Sequence, residues 1–285
     1  MGHGNSQDSL HLEKFVPSKQ LKTTAVVLVA IGLLGLGYGL LKNQDGLWPA
    51  YLTAFFYVIC LSLGGMFFVA INHIAKAGWS SSIRRLAEGM ASFLPMILVG
   101  GLVLVVGLKK LYPWARPEEV AENLVISSKT AYLNTGFFIG RLLFYGIGTL
   151  VFAKKIIGNS LAQDANGDHK YTLNNVGWSI GYVLFFAVFF SLFSVDLLMS
   201  LMPSWYSTIF GVYCFSGMFQ SSLAFLILLM IYMKRNGYIQ GYFTEDHMHD
   251  VGKFLKGFTV FWAYIAFSQF MLIWYANIPE ETEYY

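Results

Sequence analysis

Seven long apolar segments separated by short polar loops constrain this chain more than any motif in it. They lie at residues 24–42, 50–75, 86–111, 130–153, 176–201, 207–233 and 254–277. A bilayer hydrocarbon core about 30 Å thick takes roughly 20 apolar residues as a helix, and lipid leaves no partner for an unpaired backbone amide. The sequence therefore predicts an all-α integral membrane protein, a polytopic bundle of about seven transmembrane helices. Strands of an outer-membrane barrel are about 10 residues long and alternate in polarity, whereas Val26–Leu41 and Phe93–Leu108 stay apolar well beyond that length. Three regions follow: an N-terminal segment (1–23), the helical bundle (24–277) and a short tail (278–285).

Composition supports the same class. The 285 residues are 56% hydrophobic and only 12% charged, against about 25% charged in soluble domains. The net charge of +3 is small, and no basic patch interleaved with aromatics suggests nucleic acid. Residues 1–20 are polar and mixed in charge. They lack the basic-then-apolar pattern of a cleaved signal peptide, so the first helix is expected to stay. Cys60 and Cys214 both fall inside apolar segments and read as small core residues.

Seven spans put the N-terminus and the 76–85, 154–175 and 234–253 loops on one face. Counted through Lys256, that face carries 13 lysines and arginines against 5 on the other. The positive-inside rule then makes the N-terminus cytoplasmic and the tail external. Glycines at 32, 35, 37 and 39, and the pairs Gly64–Gly65 and Gly100–Gly101, are expected to let helices approach closely. Pro95 is expected to kink the third helix. Trp48, Trp114, Trp205, Trp274, Tyr112 and Tyr275 are expected to form an aromatic belt at the outer ends.

Two polar stretches invite a metal reading and decline it. The 164–170 loop is similar to the start of a calcium loop, but His169 stands where the turn glycine belongs and Asn175 where the bidentate glutamate belongs. In the 245–250 stretch His247 and His249 are two apart, not at the spacing of a helical zinc pair; Asp250 is expected to cap the helix that follows. Only His73 lies in a predicted helix, so paired haem ligands are lacking, and no cysteine set suits a cluster. The expectation is a chain without a metal or cofactor of its own.

Ionisable groups within the segments carry the functional question, because burying a charge in the bilayer costs a few kcal/mol even on lenient scales. His73 ends the second helix, Glu88 begins the third, Arg141 sits about mid-depth in the fourth, and Asp196 lies near the outer end of the fifth. Hydroxyls and amides at Ser62, Ser92, Tyr145, Ser191, Ser194, Tyr213, Ser216, Gln220, Ser221, Ser222, Tyr264, Ser268 and Gln269 offer links between them. A proton path through His73, Glu88, Arg141 and Asp196, a quinone pocket at Asp196, Tyr206 and Tyr213, or a passive scaffold are the three readings.

Three runs carry a resemblance to a known family. They are Ser194-Val-Asp-Leu-Leu-Met-Ser-Leu-Met-Pro-Ser-Trp-Tyr206 with its continuation to Tyr213, Ile71-Asn-His-Ile through Met90, and Ala266-Phe-Ser-Gln through Glu281. The chain resembles the NrfD-like membrane subunits of alternative complex III, a bacterial quinol:cytochrome c oxidoreductase, and within them the second, ActF-type, of two related large subunits. The resemblance implies residence in the bacterial inner membrane. It implies menaquinol as the donor, iron–sulfur and haem c groups in partner subunits, a paralogous ActC-type membrane subunit that holds the quinol site, and a cytochrome c oxidase alongside. Family members often carry His where Ser204 stands here, beside Tyr206. Serine is not a base at neutral pH and tyrosine is a poor one, so this chain is expected to conduct protons rather than oxidise quinol. The family has about ten helices, so the seven here suggest truncation after the tail.

Overall fold

The computed structural model describes residues 15–42, 44–238, 244–282 and 284. It is all-α, with no strand among the described residues, and seven helical spans are long and apolar enough to cross a membrane. We name the principal helices α1 (Lys19–Leu41), α2 (Leu47–Ile74), α3 (Ser81–Ala91), α4 (Met96–Val106), α5 (Thr135–Asn166), α6 (Lys170–Leu197), α7 (Phe210–Arg235) and α8 (Glu245–Ala276). Helix α2 is central and packs on α3, α6 and α7; α5 lies on α6 and α4, and α8 on α7.

The caps set the helix ends. The Ser18 hydroxyl accepts from Leu21 N at 3.2 Å to start α1, and Asn134 accepts from Phe137 N at 2.8 Å to start α5. Gly167, at φ 66°, ends α5 in the left-handed region that suits glycine. Thr244, not Asp250, caps α8, in a reciprocal box where Thr244 N donates to His247 Nδ1 at 3.1 Å. The 245–250 stretch is thus the first turn of α8 rather than a lead-in to it, and Asp250 pairs with Lys253 at 3.1 Å. Between α5 and α6, Asp168 accepts from Lys170 N at 2.9 Å and pairs with its ammonium. The backbone bond first, then the ammonium, hold this exposed carboxyl below its usual range, and residues 164–166 of the calcium-like stretch are the last turn of α5.

The third span is broken rather than kinked. Pro95 has no N–H to give, residues 92–95 form a turn, and α4 starts directly after it. The glycine expectation divides by helix. A Cβ on Gly64 would overlap the Oγ and Cβ of Ser222 on α7, and one on Gly65 would sit 2.7 Å from Ala87 O on α3. Gly100 and Gly101 abut Phe55 and Leu142. In α1, Gly32, Gly35 and Gly37 face open space and only Gly39 meets a neighbour, Leu47. Gly64→Ala should therefore cost about 1–3 kcal/mol by forcing α2 from α7, while Gly35→Ala should be near neutral. Thermal unfolding of the two variants in detergent checks the contrast.

The aromatic belt also divides. Trp274 and Tyr275 are exposed, but Trp48, Tyr112, Trp114 and Trp205 are buried within the protein. Trp48, Tyr112 and Trp114 pack in the cap formed by residues 107–134, where Tyr112 stacks on Trp114 at 5.0 Å, Trp114 meets Phe138 at 5.4 Å, and the Tyr112 hydroxyl donates to Leu197 O at 2.9 Å, whereas Trp205 packs on Phe210 at 5.7 Å and Tyr284 at 4.1 Å. Cys60 is buried and Cys214 half-buried, both as free thiols.

Candidate functional site

The four ionisable candidates gather into two clusters at opposite ends of the α5–α6 pair. At the end remote from the N-terminus, Arg141 and Asp196 form a two-pronged ion pair: Nε donates to Oδ2 at 2.8 Å and Nη2 to Oδ1 at 2.9 Å. The Tyr145 hydroxyl donates to Oδ2 at 2.9 Å, and Arg141 Nη1 donates to Tyr132 O at 2.9 Å. The guanidinium also lies over the Tyr132 ring, 3.9 Å from its centre. Both charges are buried, and the paired fork geometry offsets the cost of desolvating them. Arg141 is the seventh residue of α5, because residues 130–134 are turn and not helix. It therefore sits about two turns from the end of the helix rather than at mid-depth.

At the N-terminal end, His73 on α2 meets Arg84 on α3 and Asn175 on α6. Arg84 Nη1 lies 3.0 Å from His73 Nδ1, and Asn175 Nδ2 lies 3.4 Å from Nε2. Both neighbours are donors, and a neutral imidazole accepts at only one nitrogen, so the shorter Arg84 contact at Nδ1 is the hydrogen bond; a protonated ring would face a guanidinium. Asn175 is itself fixed by Ile156 O at 3.0 Å and by Asn159 Nδ2, which donates to its Oδ1 at 2.9 Å. Glu88 is buried beside this group. It accepts from Arg85 and from the Ser160 hydroxyl at 2.7 Å, and Arg85 also holds Asp164.

The clusters are far apart. Ser160 is 19 residues beyond Arg141 on α5, a rise of about 28 Å, and Asp196 is 21 beyond Asn175 on α6, about 31 Å. These spans match a hydrocarbon core of about 30 Å. Buried polar residues line the interface between them: Tyr145 and Thr149 one helical turn apart on α5, and Asn175, Ser179 and Tyr182 at successive turns of α6. The hydroxyls of Ser179 and Tyr182 are buried and have no hydrogen-bond partner among the described residues. A cavity of about 20 Å³ touches Tyr145 and Thr149, its two polar lining residues, and is otherwise walled by apolar side chains such as Phe186, Phe189 and Phe190; its volume is that of a single water.

Sequence reasoning found the four charges but missed most of what joins them. Thr149, Ser179, Tyr182 and Asn175 have a helical spacing that a stripe search would detect. Several hydroxyls proposed as links do something simpler. Ser191, Ser194 and Ser268 each donate to the carbonyl four residues back, at 3.0, 2.9 and 2.7 Å, and are spent on their own helices, while Ser222 is shared between Met218 O at 2.7 Å and Cys60 O of α2 at 3.2 Å. Of the three quinone candidates, Asp196 is held by Arg141 and Tyr145, Tyr206 is 71% exposed, and Tyr213 stacks against Trp262 at 6.2 Å. No group of three or more His, Cys, Asp or Glu among the described residues is arranged to hold a metal.

No protein-family model matches this chain, and no curated protein does.

Proposed function

We propose that this chain is an integral membrane subunit that conducts protons along the α5–α6 interface, within a quinol:cytochrome c oxidoreductase of the alternative complex III type. One observation supports the reading above the others: two buried charged clusters end a single helix–helix interface, and hydroxyls without protein partners lie between them. A passive scaffold has no use for such groups, since each buried hydroxyl left unpaired costs about 1–3 kcal/mol.

In this account a proton enters at the N-terminal face, which the charge bias makes cytoplasmic. Glu88 and Ser160 receive it, and Ser179, Tyr182, Thr149 and Tyr145 pass it on with water in the gaps. Asp196 takes it when Arg141 releases the carboxylate, so Arg141 is the electrostatic gate. A redox change in a partner subunit drives the gate by favouring one of its two arrangements. The redox groups, iron–sulfur clusters and haem c, belong to those partners, with menaquinol oxidised in the paralogous membrane subunit and a cytochrome c oxidase alongside. The membrane is then the bacterial inner membrane.

The subunit assignment is tested by purifying the affinity-tagged chain from its native membrane. Haem c absorbance and menaquinol:cytochrome c reductase activity should copurify with it in constant ratio. A chain recovered intact without either would refute membership in such a complex.

A further inference from the structure

A second feature lies above the Arg141–Asp196 pair and plays no part in the proton account. A cavity of about 230 Å³ opens between the Ser128–Leu133 turn, the end of α6 and the Pro203–Tyr206 loop. Its polar side chains are Ser128, Lys129, Tyr132, Ser200, Trp205 and Tyr206. None is an acid, and the hydroxyls of Ser128 and Ser200 already donate to Val125 O at 2.9 Å and Asp196 O at 2.6 Å. Lys129 directs its ammonium across the cavity to Pro203 O at 2.6 Å and lies 5.9 Å from the centre of the Tyr206 ring. It makes no salt bridge among the described residues, and one carbonyl uses one of its three N–H groups.

One further donor is left over. The Trp205 indole N–H, on a residue 97% buried by its 3% exposure, has no partner among the described residues. The nearest buried carboxylate, Asp196, is already neutralised by Arg141. A cation with spare N–H groups and no acid in the cavity lining has an acceptor-rich anion as its natural complement, and the nearest other acid, Glu281, lines the adjoining cavity that shares Trp205 and Tyr206. The depth narrows the choice further. The cavity sits where α5 begins and α6 ends, at the level of a bilayer's headgroups, and basic pockets between helices hold lipid headgroups in this way.

The geometry points to an anion-binding site in this cavity, built for a phosphate group such as that of an anionic phospholipid. Binding involves no covalent step: the phosphate oxygens accept from Lys129 Nζ and Trp205 Nε1, and the acyl chains lie along the apolar flank of α6.

The test uses the full chain purified in detergent, with short-chain phosphatidylglycerol as probe and the matching diacylglycerol, which has the same tails but no phosphate, as control; native mass spectrometry reads the bound fraction. Phosphatidylglycerol should bind and diacylglycerol should not. Lys129→Gln should weaken binding by about 10-fold or more, as the loss of a charged hydrogen bond does, and Trp205→Phe by about 5-fold. Lys129→Arg should keep most of the affinity, which separates lost charge from a disturbed loop. If excess inorganic phosphate displaces the lipid, the site serves free phosphate as well; if it does not, the lipid headgroup is the ligand, and either outcome upholds an anion site. Equal binding of phosphatidylglycerol and diacylglycerol, or wild-type affinity in both Lys129→Gln and Trp205→Phe, would overturn it and leave water as the occupant.

Discussion

Asp196→Leu alone should destabilise the protein by about 3–5 kcal/mol, and adding Arg141→Met should recover most of that loss. The single change removes a carboxylate that takes two hydrogen bonds from Arg141 and one from Tyr145. It leaves a guanidinium, 8% exposed, with only the Tyr132 carbonyl and two aromatic faces for company. An unpaired buried charge is the costly state; the pair itself roughly balances its own desolvation. The double variant removes both charges and fills the space with apolar side chains of similar size. Thermal unfolding of the two variants in detergent separates these cases. If Asp196→Leu is as stable as the wild type, the pair is not closed in the folded protein, and the gate assigned to Arg141 has nothing to open.

The second large effect is expected where the structural cost is least. Tyr182→Phe removes a hydroxyl that binds no protein acceptor, and keeps the ring contacts with Phe152 at 5.9 Å and Phe186 at 5.7 Å. Ser179→Ala does the same with a smaller group. Stability should be unchanged or rise by up to about 3 kcal/mol, because no intramolecular hydrogen bond is lost and an unpaired buried hydroxyl is removed. Proton transfer through the chain should nonetheless fall about tenfold or more, since a phenyl ring neither accepts nor donates a proton and the next hydroxyls lie a helical turn away on either side. A purely structural role predicts the reverse: a loss of stability with no change in conduction.

How much of this was legible beforehand differs by feature. The seven spans were, because bilayer thickness forces a length and an apolarity that few other folds share. Element ends were less so: α8 starts at Glu245 because Thr244 and His247 form a capping box, a local hydrogen-bond pattern that hydropathy does not register. The third span breaks at Pro95, where a proline was expected only to bend it. The aromatic belt misled because Trp and Tyr at a helix end look the same whether they face headgroups or, like Trp114 and Tyr112, pack on each other.

Within the candidate site, the charges stood out because lipid makes them expensive. Their pairing did not, since Arg141 and Asp196 are 55 residues apart and only the antiparallel packing of α5 on α6 brings them into register. The connecting hydroxyls were hidden by abundance. Many serines and tyrosines occur in these helices, and only packing distinguishes Ser194, bonded to Phe190 O at 2.9 Å, from Ser179, which is buried with nothing to hold.

The most direct measurement takes the assembled complex in sealed liposomes and counts protons moved per electron passed to cytochrome c, for the wild type and for the Ser179→Ala, Tyr182→Phe double variant. A lowered ratio at unchanged electron flux and unchanged subunit content is the result expected of a proton route between α5 and α6. An identical ratio would contradict it and leave those two helices as structure alone.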